Sequence, residues 1–199
     1  MQSRDGDQTN PWAVLRKETK FECPYFTVRV DAVSLGGGAE RAYNNIRMKI
    51  FGVFIVPIDE DGCTTLIGQY RYVLDRYTWE IPGGGAHPDR PAIESAKAEL
   101  SEETGLRADH WLQLLDATTS PGIADEVSPG FVAWGLHHGT PHPDPQERLS
   151  ARRLPFREAV DLALTGGISS MSGIALLLCL QAKAQRNELP PDLTRLLQR

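Results

Sequence analysis

Cysteine is too scarce and too scattered to hold this chain together. Its 199 residues include three cysteines, Cys23, Cys63 and Cys179, an odd number without any Cys-x-x-Cys spacing. A disulfide framework or a zinc site is therefore not expected. A chain of this length buries roughly 70% of the surface that its unfolded form exposes, so a hydrophobic core is sufficient to stabilise it.

Long apolar segments and an excess of positive charge are also missing. The longest apolar run, residues 174–180, is far too short to cross a bilayer, and the N-terminal stretch MQSRDGDQTNPW lacks the apolar core of a secretion signal. The formal net charge of −5 argues against a nucleic-acid-binding protein, which usually has a basic face. We therefore expect a cytoplasmic protein whose partners include neither membrane nor nucleic acid.

The chain does contain clear strand and helix patterns, in an irregular order. Apolar and alternating stretches predict strands at residues 26–33, 47–58, 64–72, 77–81, 111–117 and 130–136, and helical patterns cover residues 91–104, 156–164 and 169–185. The glycines of SLGGGAE predict a hairpin turn. This order favours an α/β fold in which a mixed β-sheet lies between helices, an α/β/α sandwich.

The helix predicted at residues 91–104 carries three glutamates on one side. Glu99, Glu102 and Glu103 have the spacing i, i+3 and i+4, which places their side chains next to one another. Their charges repel unless a cation balances them. Oxygen ligands of this kind suit Mg²⁺, which keeps several waters and meets substrate phosphates, with Mn²⁺ as a substitute. The alternative is a solvated acidic helix face without a bound ion.

The residues around this helix mark its ends. Asp89 is expected to cap its start, Pro91 suits the first turn, and Gly105 suits the left-handed position after its end. The glycine cluster at residues 83–85 precedes the helix. Because glycine has no Cβ, this segment allows a backbone carbonyl to approach the same ion.

The glycine turn, acidic helix and terminal glycine together resemble the Nudix box, G-x5-E-x7-R-E-U-x-E-E-x-G-U, in which U is apolar. Gly84 matches the first position and residues 99–106 match the last eight. Two positions depart from the pattern, because Arg90 replaces the first glutamate and Ala98 replaces the arginine. Either Arg90 compensates by supplying positive charge near the helix, or the activity has been weakened.

The resemblance implies roles for the residues that match. The expected metal ligands are Glu99, Glu103 and the carbonyl of Gly83, and Glu102 is expected to assist catalysis. Since all of these positions are retained, we expect a working metal site on a Nudix fold with an N-terminal β extension.

Flanking motifs are similar to the ADP-ribose pyrophosphatase branch of this family. They are Gln69-Tyr70-Arg71, Trp79-Glu80-Ile81-Pro82 and Ser120-Pro121-Gly122-Ile123-Ala124-Asp125-Glu126, and the resemblance covers roughly residues 45–185. By this resemblance, Glu126 is the loop carboxylate that acts as a base or near the metal, the alternative being a solvated loop acid. Arg71 is expected to contact phosphate, the alternative being a salt bridge on the strand face.

The N-terminal extension supplies aromatic candidates for binding the nucleoside. Trp12, Tyr25 and Phe26 lie in residues 1–45, a tail and β extension that in relatives crosses to a partner subunit, while residues 46–199 form the Nudix domain. For Tyr25 and Phe26 the alternative is core packing. The resemblance thus implies a homodimer that hydrolyses the pyrophosphate of ADP-ribose or a related nucleoside diphosphate sugar. A nucleotide-sugar-binding module with a weakened box is the second hypothesis, and a scaffold with an acidic helix is the third.

Overall fold

A computed structural model of the protein describes residues 9–199, which contain ten strands, four α-helices and one short 3₁₀-helix. The strands are β1 (Trp12–Glu22), β2 (Phe26–Leu35), β3 (Arg41–Met48), β4 (Phe51–Ile58), β5 (Cys63–Arg71), β6 (Arg76–Glu80), β7 (Gly83–Ala86), β8 (Leu106–Thr118), β9 (Val127–His138) and β10 (Ser150–Pro155). The helices are α1 (Ala92–Thr104), α2 (Phe156–Thr165), α3 (Met171–Gln185) and α4 (Pro191–Leu197), and the 3₁₀-helix spans Tyr72–Leu74. These elements belong to two compact units.

The first unit is an antiparallel sheet in the order β1-β2-β3, formed by residues up to Lys49 together with Ser120–Asp125. Gly36 and Gly37 have φ values of 55° and 77° between β2 and β3, which confirms the predicted hairpin turn. Most of the predicted polar tail lies outside the described residues. The domain boundary near residue 45 stays a prediction.

The segment Ser120–Asp125 is tied to β3 by backbone and side-chain hydrogen bonds. The amide of Ile46 donates to the carbonyl of Ile123 at 2.8 Å. Asp125 accepts from the amide of Met48 at 2.8 Å and pairs with Arg47 at 3.2 Å. The aspartate of the SPGIADE motif therefore fixes the loop to this unit and has both of its oxygens occupied.

The second unit is an α/β/α sandwich built on two sheets, with strand orders β10-β5-β6 and β7-β4-β9-β8. Strand β4 pairs parallel to β9 and antiparallel to β7, so the larger sheet is mixed. Because side chains alternate along a strand, Val53 and Ile55 of β4 enter a core with α1, whereas Val56 and Ile58 enter a second core with the other helices. This confirms the predicted fold class.

Several local predictions are wrong, each for a physical reason. The strand predicted at residues 47–58 is divided between β3 and β4 by a bend. The glycine cluster forms strand β7 instead of a turn, because its backbone pairs with β4 although its residues have no side-chain pattern. Asp89 does not cap α1, whose N-cap residue is Pro91 without a side-chain hydrogen bond. Strands β1 and β10 and helix α4 are absent from the sequence prediction.

Within residues 9–199, no helix is both long enough and apolar enough to cross a membrane.

Gly105 combines a left-handed conformation with close packing, and Gly166 has the conformation alone. A Cβ on Gly105, at φ 72°, would lie 2.6 Å from the carbonyl oxygen of Gly139, whereas one on Gly166, at φ 81°, would meet nothing within 4 Å. We expect Gly166→Ala to lower the free energy of unfolding by about 1–2 kcal/mol. Gly105→Ala should cost about 1–3 kcal/mol more, the range for overpacking.

Urea unfolding of the two variants measures the difference directly. Equal losses for Gly105→Ala and Gly166→Ala would show that the contact with Gly139 does not constrain the end of α1.

Candidate active site

The candidate site is built on the backbone of two paired strands. Residues 51–54 of β4 pair antiparallel with residues 83–86 of β7, so that Gly52 lies opposite Gly85 and Phe54 lies opposite Gly83. Amide groups of these strands hold three of the predicted carboxylates, namely Glu99, Glu103 and Glu126. The helix α1 follows β7 and packs on it, which brings its glutamates back to the strand.

Glu103 is the most deeply buried of these carboxylates, with 7% of its surface exposed. Its Oε2 accepts a hydrogen bond of 2.9 Å from the amide of Gly83. Burial is the largest effect on its pKa and raises it, whereas the hydrogen bond from the Gly83 amide lowers it. The charges of Glu99 and Glu147 raise it further, and the pKa is about 8. The amide orients the side chain but does not offset the cost of burying its charge.

Glu99 lies against the glycine strand one helical turn earlier. A Cβ on Gly84 would lie 2.2 Å from its carboxyl carbon, so glycine at this position lets the carboxylate lie against the strand. Burial, then the charges of Glu102 and Glu147, raise the pKa of Glu99 to about 7, against a smaller lowering by the amide of Gly85. The glycine cluster therefore admits a glutamate side chain to its backbone.

Glu102 is exposed and is not part of the buried pair. Its charge contributes to the raised pKa of Glu99. Its backbone carbonyl accepts a 2.9 Å hydrogen bond from the amide of His142, which attaches the loop after β9 to α1. The charge of Glu102 thus acts on Glu99, and its backbone carbonyl holds the loop that contains His142. Its assisting role in catalysis stays a prediction.

Glu126 is half-buried at the start of β9 and is held at both oxygens. Its Oε1 accepts from the amide of Gly52 at 3.2 Å, and its Oε2 accepts from the hydroxyl of Thr119 at 2.8 Å. Gly52 is the register partner of Gly85, whose amide acts on Glu99. Glu126 and Glu99 are therefore each held by a backbone amide of the β4–β7 pair.

Glu147 is an acidic residue of this site that sequence analysis missed. It is exposed, and its charge acts on Glu99, Glu103 and Arg71. It directly follows the proline-rich stretch PHPDPQ, which is attached to α1 through His142. The sequence carries no motif at Glu147, and only the path of this loop brings it to the carboxylates.

Arg71 is engaged by a neighbouring glutamate. Its Nε and Nη2 donate to the two oxygens of Glu80 at 3.0 and 2.8 Å, and Thr78 donates to the same carboxylate at 2.9 Å. Its positive charge also lowers the pKa of Glu103. The salt bridge left open by the sequence analysis is thus present, and the phosphate contact stays a prediction.

The aromatic candidates lie in the first unit. The face of Trp12 is covered by the guanidinium of Arg41, 4.4 Å from the ring centroid, and its ring meets Tyr43 edge to face. Phe26 is half-buried with Phe21 at 6.0 Å, whereas 62% of Tyr25 is exposed. Of the three, Tyr25 has the most open ring, and nucleoside binding stays a prediction for all of them.

The two departures from the box lie on the surface. Ala98 is exposed on α1, and Arg90 is exposed in the turn before it. Within residues 9–199, Arg90 forms no ion pair with an acidic residue. The structure therefore offers no contact by which Arg90 compensates for the absent arginine.

The donor set suits a divalent cation, although it is small. In the described part of the chain, no group of three or more His, Cys, Asp or Glu side chains is close enough to hold a metal ion. The predicted set, however, needs only Glu99 and Glu103 with the carbonyl of Gly83. Burial raises the pKa of Glu99 to about 7 and that of Glu103 to about 8. A bound cation would stabilise the charged forms of these two carboxylates.

Comparison with known proteins identifies the family. Residues 48–171 match the NUDIX domain. The ADP-ribose pyrophosphatase of Mycobacterium tuberculosis is 32% identical over 173 residues, which are 84% of this chain and 82% of that protein. The ADP compounds hydrolase NudE of Escherichia coli is 28% identical over 75% of this chain and 80% of its own length.

A solved structure has the same fold. The crystal structure of an ADP compounds hydrolase superposes with a TM-score of 0.81 at 23% identity, covering 92% of this chain and 98% of that one. With the domain match and the carboxylates of the box in place, the chain belongs to the Nudix family. Within that family it is a Nudix pyrophosphohydrolase.

The raised pKa values make the metal-free protein sensitive to pH. The folded state keeps protons on Glu99 and Glu103 up to pH values of about 7 and about 8, whereas the unfolded chain releases them near the ordinary value of 4.5. Between these limits the folded state binds more protons, so its stability falls as pH rises. We expect the melting temperature of chelator-treated protein to fall from pH 5 to pH 8.

The double variant Glu99→Gln/Glu103→Gln should show a smaller fall over the same range, since neither amide titrates. Equal slopes for the variant and the natural protein, measured by differential scanning fluorimetry, would assign the pH dependence to other groups.

Proposed function

We propose that the protein hydrolyses the pyrophosphate bond of ADP-ribose or a related nucleoside diphosphate sugar, with Mg²⁺ as its cofactor. Water is added across the bond, and a nucleoside monophosphate and a sugar phosphate are released. The single observation that carries the proposal is that the buried pair Glu99 and Glu103 is held against the amides of the glycine strand β7. The names of two relatives, ADP-ribose pyrophosphatase and ADP compounds hydrolase, support this choice of substrate.

The proposed roles follow from the contacts of each group. Glu99, Glu103 and the carbonyl of Gly83 would hold the cation, which neutralises pyrophosphate charge and activates water when bound. Glu126 accepts the proton of the attacking water, a role for a carboxylate within hydrogen-bond reach. Glu102 assists by adding negative charge beside Glu99.

The substrate contacts are assigned to Arg71 and to three aromatic residues of the first unit. Arg71 would bind a phosphate oxygen while Glu80 holds its guanidinium in place. Tyr25, Phe26 and Trp12 would contact the nucleoside, and stacking on an aromatic face supplies binding for any base. Tyr25, the most exposed of the three rings, is the first of these to test.

Hydrolysis of a panel of nucleoside diphosphate compounds tests this function. We expect phosphatase-coupled phosphate release from ADP-ribose with Mg²⁺ and none with chelator. Glu103→Gln should lower kcat at least about 100-fold, because removing preorganised electrostatic stabilisation typically costs that much. Glu94→Gln is the matched control on α1, since Glu94 is exposed and paired with Lys97, and it should retain full activity.

The binding-module hypothesis makes a different prediction for the same panel. If no compound is cleaved but one of them raises the melting temperature, the box with Arg90 and Ala98 binds without turnover and the hydrolase proposal is wrong. Recovery of cleavage in Ala98→Arg would then show that the activity was weakened by loss of the box arginine.

We also propose that the protein is a homodimer that acts in the cytoplasm. The edge strand β1 is almost fully exposed and carries Val14, Leu15 and Phe21, each more than half exposed, which is unusual for an unpartnered edge. The cysteines are unpaired, as in a reducing compartment.

Light scattering tests the oligomeric state, for which we expect twice the chain mass of 22.0 kDa. Phe21→Ser should shift the mass toward a single chain, and the control Lys17→Ser on the same strand should not. A monomeric natural protein would exclude the dimer.

A further inference from the structure

Thr119 has no part in the proposed function as described so far, although it contacts Glu126. Its hydroxyl donates a 2.8 Å hydrogen bond to Oε2 of Glu126. We propose that Thr119 is a positioning residue that fixes the orientation of the Glu126 carboxylate for proton transfer. The inference rests on the proposed function, in which Glu126 is the proton acceptor.

Two donors are needed to fix a carboxylate, and the second is Thr119. The amide of Gly52 belongs to the β4 ladder and holds Oε1 at 3.2 Å. With this bond alone, the carboxyl group remains free to turn about it. The bond from Thr119 to the other oxygen removes this freedom, so the unused lone pairs of Glu126 keep one direction.

The position of Thr119 in the hairpin makes this donor rigid. Thr118 is the last residue of β8 and pairs with Val127, the first residue of β9. Thr119 and Glu126 are the next residues outward, so their side-chain bond continues the ladder across the neck of the loop. A β-branched side chain has few χ1 rotamers, and this one is half-buried.

The chemistry requires a hydroxyl at this position. Both groups that contact the Glu126 carboxylate donate a hydrogen bond, and neither is charged. Valine has the shape of threonine without the donor, and serine has the donor without the methyl group. The pair of substitutions therefore separates hydrogen bonding from packing.

Steady-state kinetics with Mg²⁺ and ADP-ribose test the proposal in full-length protein. We expect Thr119→Val to lower kcat roughly tenfold or more with KM changed less than about twofold, because small misplacements of a catalytic group mainly affect the reaction step. Thr119→Ser should restore most of kcat. Thr118→Val is the matched control, an exposed neighbouring threonine, and should behave as the natural protein.

A double variant shows whether the effect passes through Glu126. In the Glu126→Ala background, adding Thr119→Val should change kcat less than twofold. An equal loss in both backgrounds, a normal Thr119→Val enzyme, or a Thr119→Ser enzyme as slow as Thr119→Val would each overturn the proposal.

An unfolding measurement separates failure of this inference from failure of the proposed function. Urea midpoints of the natural protein, Thr119→Val, Glu126→Ala and the double variant form a cycle that requires no turnover. If the midpoints are non-additive but the protein cleaves no compound, Thr119 does fix Glu126 and the proposed function is wrong. Additive midpoints would reject the contact itself, whatever the activity.

Discussion

The pairing of β4 with the glycine strand β7 is the constraint on which the site depends. This pairing fixes the amides of Gly52, Gly83 and Gly85, and each of them acts on one glutamate that comes from elsewhere in the chain. A backbone ladder is the most rigid support available, because its groups have no side-chain rotamers to explore. A side chain at Gly84 would overlap the carboxylate of Glu99 and displace it from this position.

Burial of acidic groups against this strand has an electrostatic cost that the fold does not remove. Glu99 and Glu103 lie on consecutive turns of α1, and burial raises the pKa of both. Glu102 and Glu147 add further negative charge from α1 and from the loop after β9. The arrangement disfavours ionised carboxylates in the free protein and would favour them if a divalent cation were bound, so that binding of a cation would release protons.

Strand β5 supplies a positive charge that acts on Glu103. Arg71 lowers the pKa of Glu103 and is itself fixed by Glu80 through two hydrogen bonds. Arg71 belongs to the QYR motif on β5 and Glu80 to the WEIP motif on β6. The ion pair between them therefore joins the two motifs across paired strands. Arg90 is exposed and Ala98 is neutral, so of these three positions Arg71 is the one whose positive charge acts on the buried Glu103.

The sequence by itself determined the local features that depend on neighbouring residues. The spacing of Glu99, Glu102 and Glu103, the left-handed Gly105 and the alternation of apolar side chains in β4 follow from helix and strand periodicity. Only the tertiary structure decided which of the three glutamates is exposed and that glycines form a strand. It also decided that Thr119 bonds to Glu126, that Glu80 bonds to Arg71, and that the charge of Glu147 acts on the site. These contacts join residues that are remote in the chain or that carry no periodic pattern, and they exist only once the sheet has placed its strands side by side.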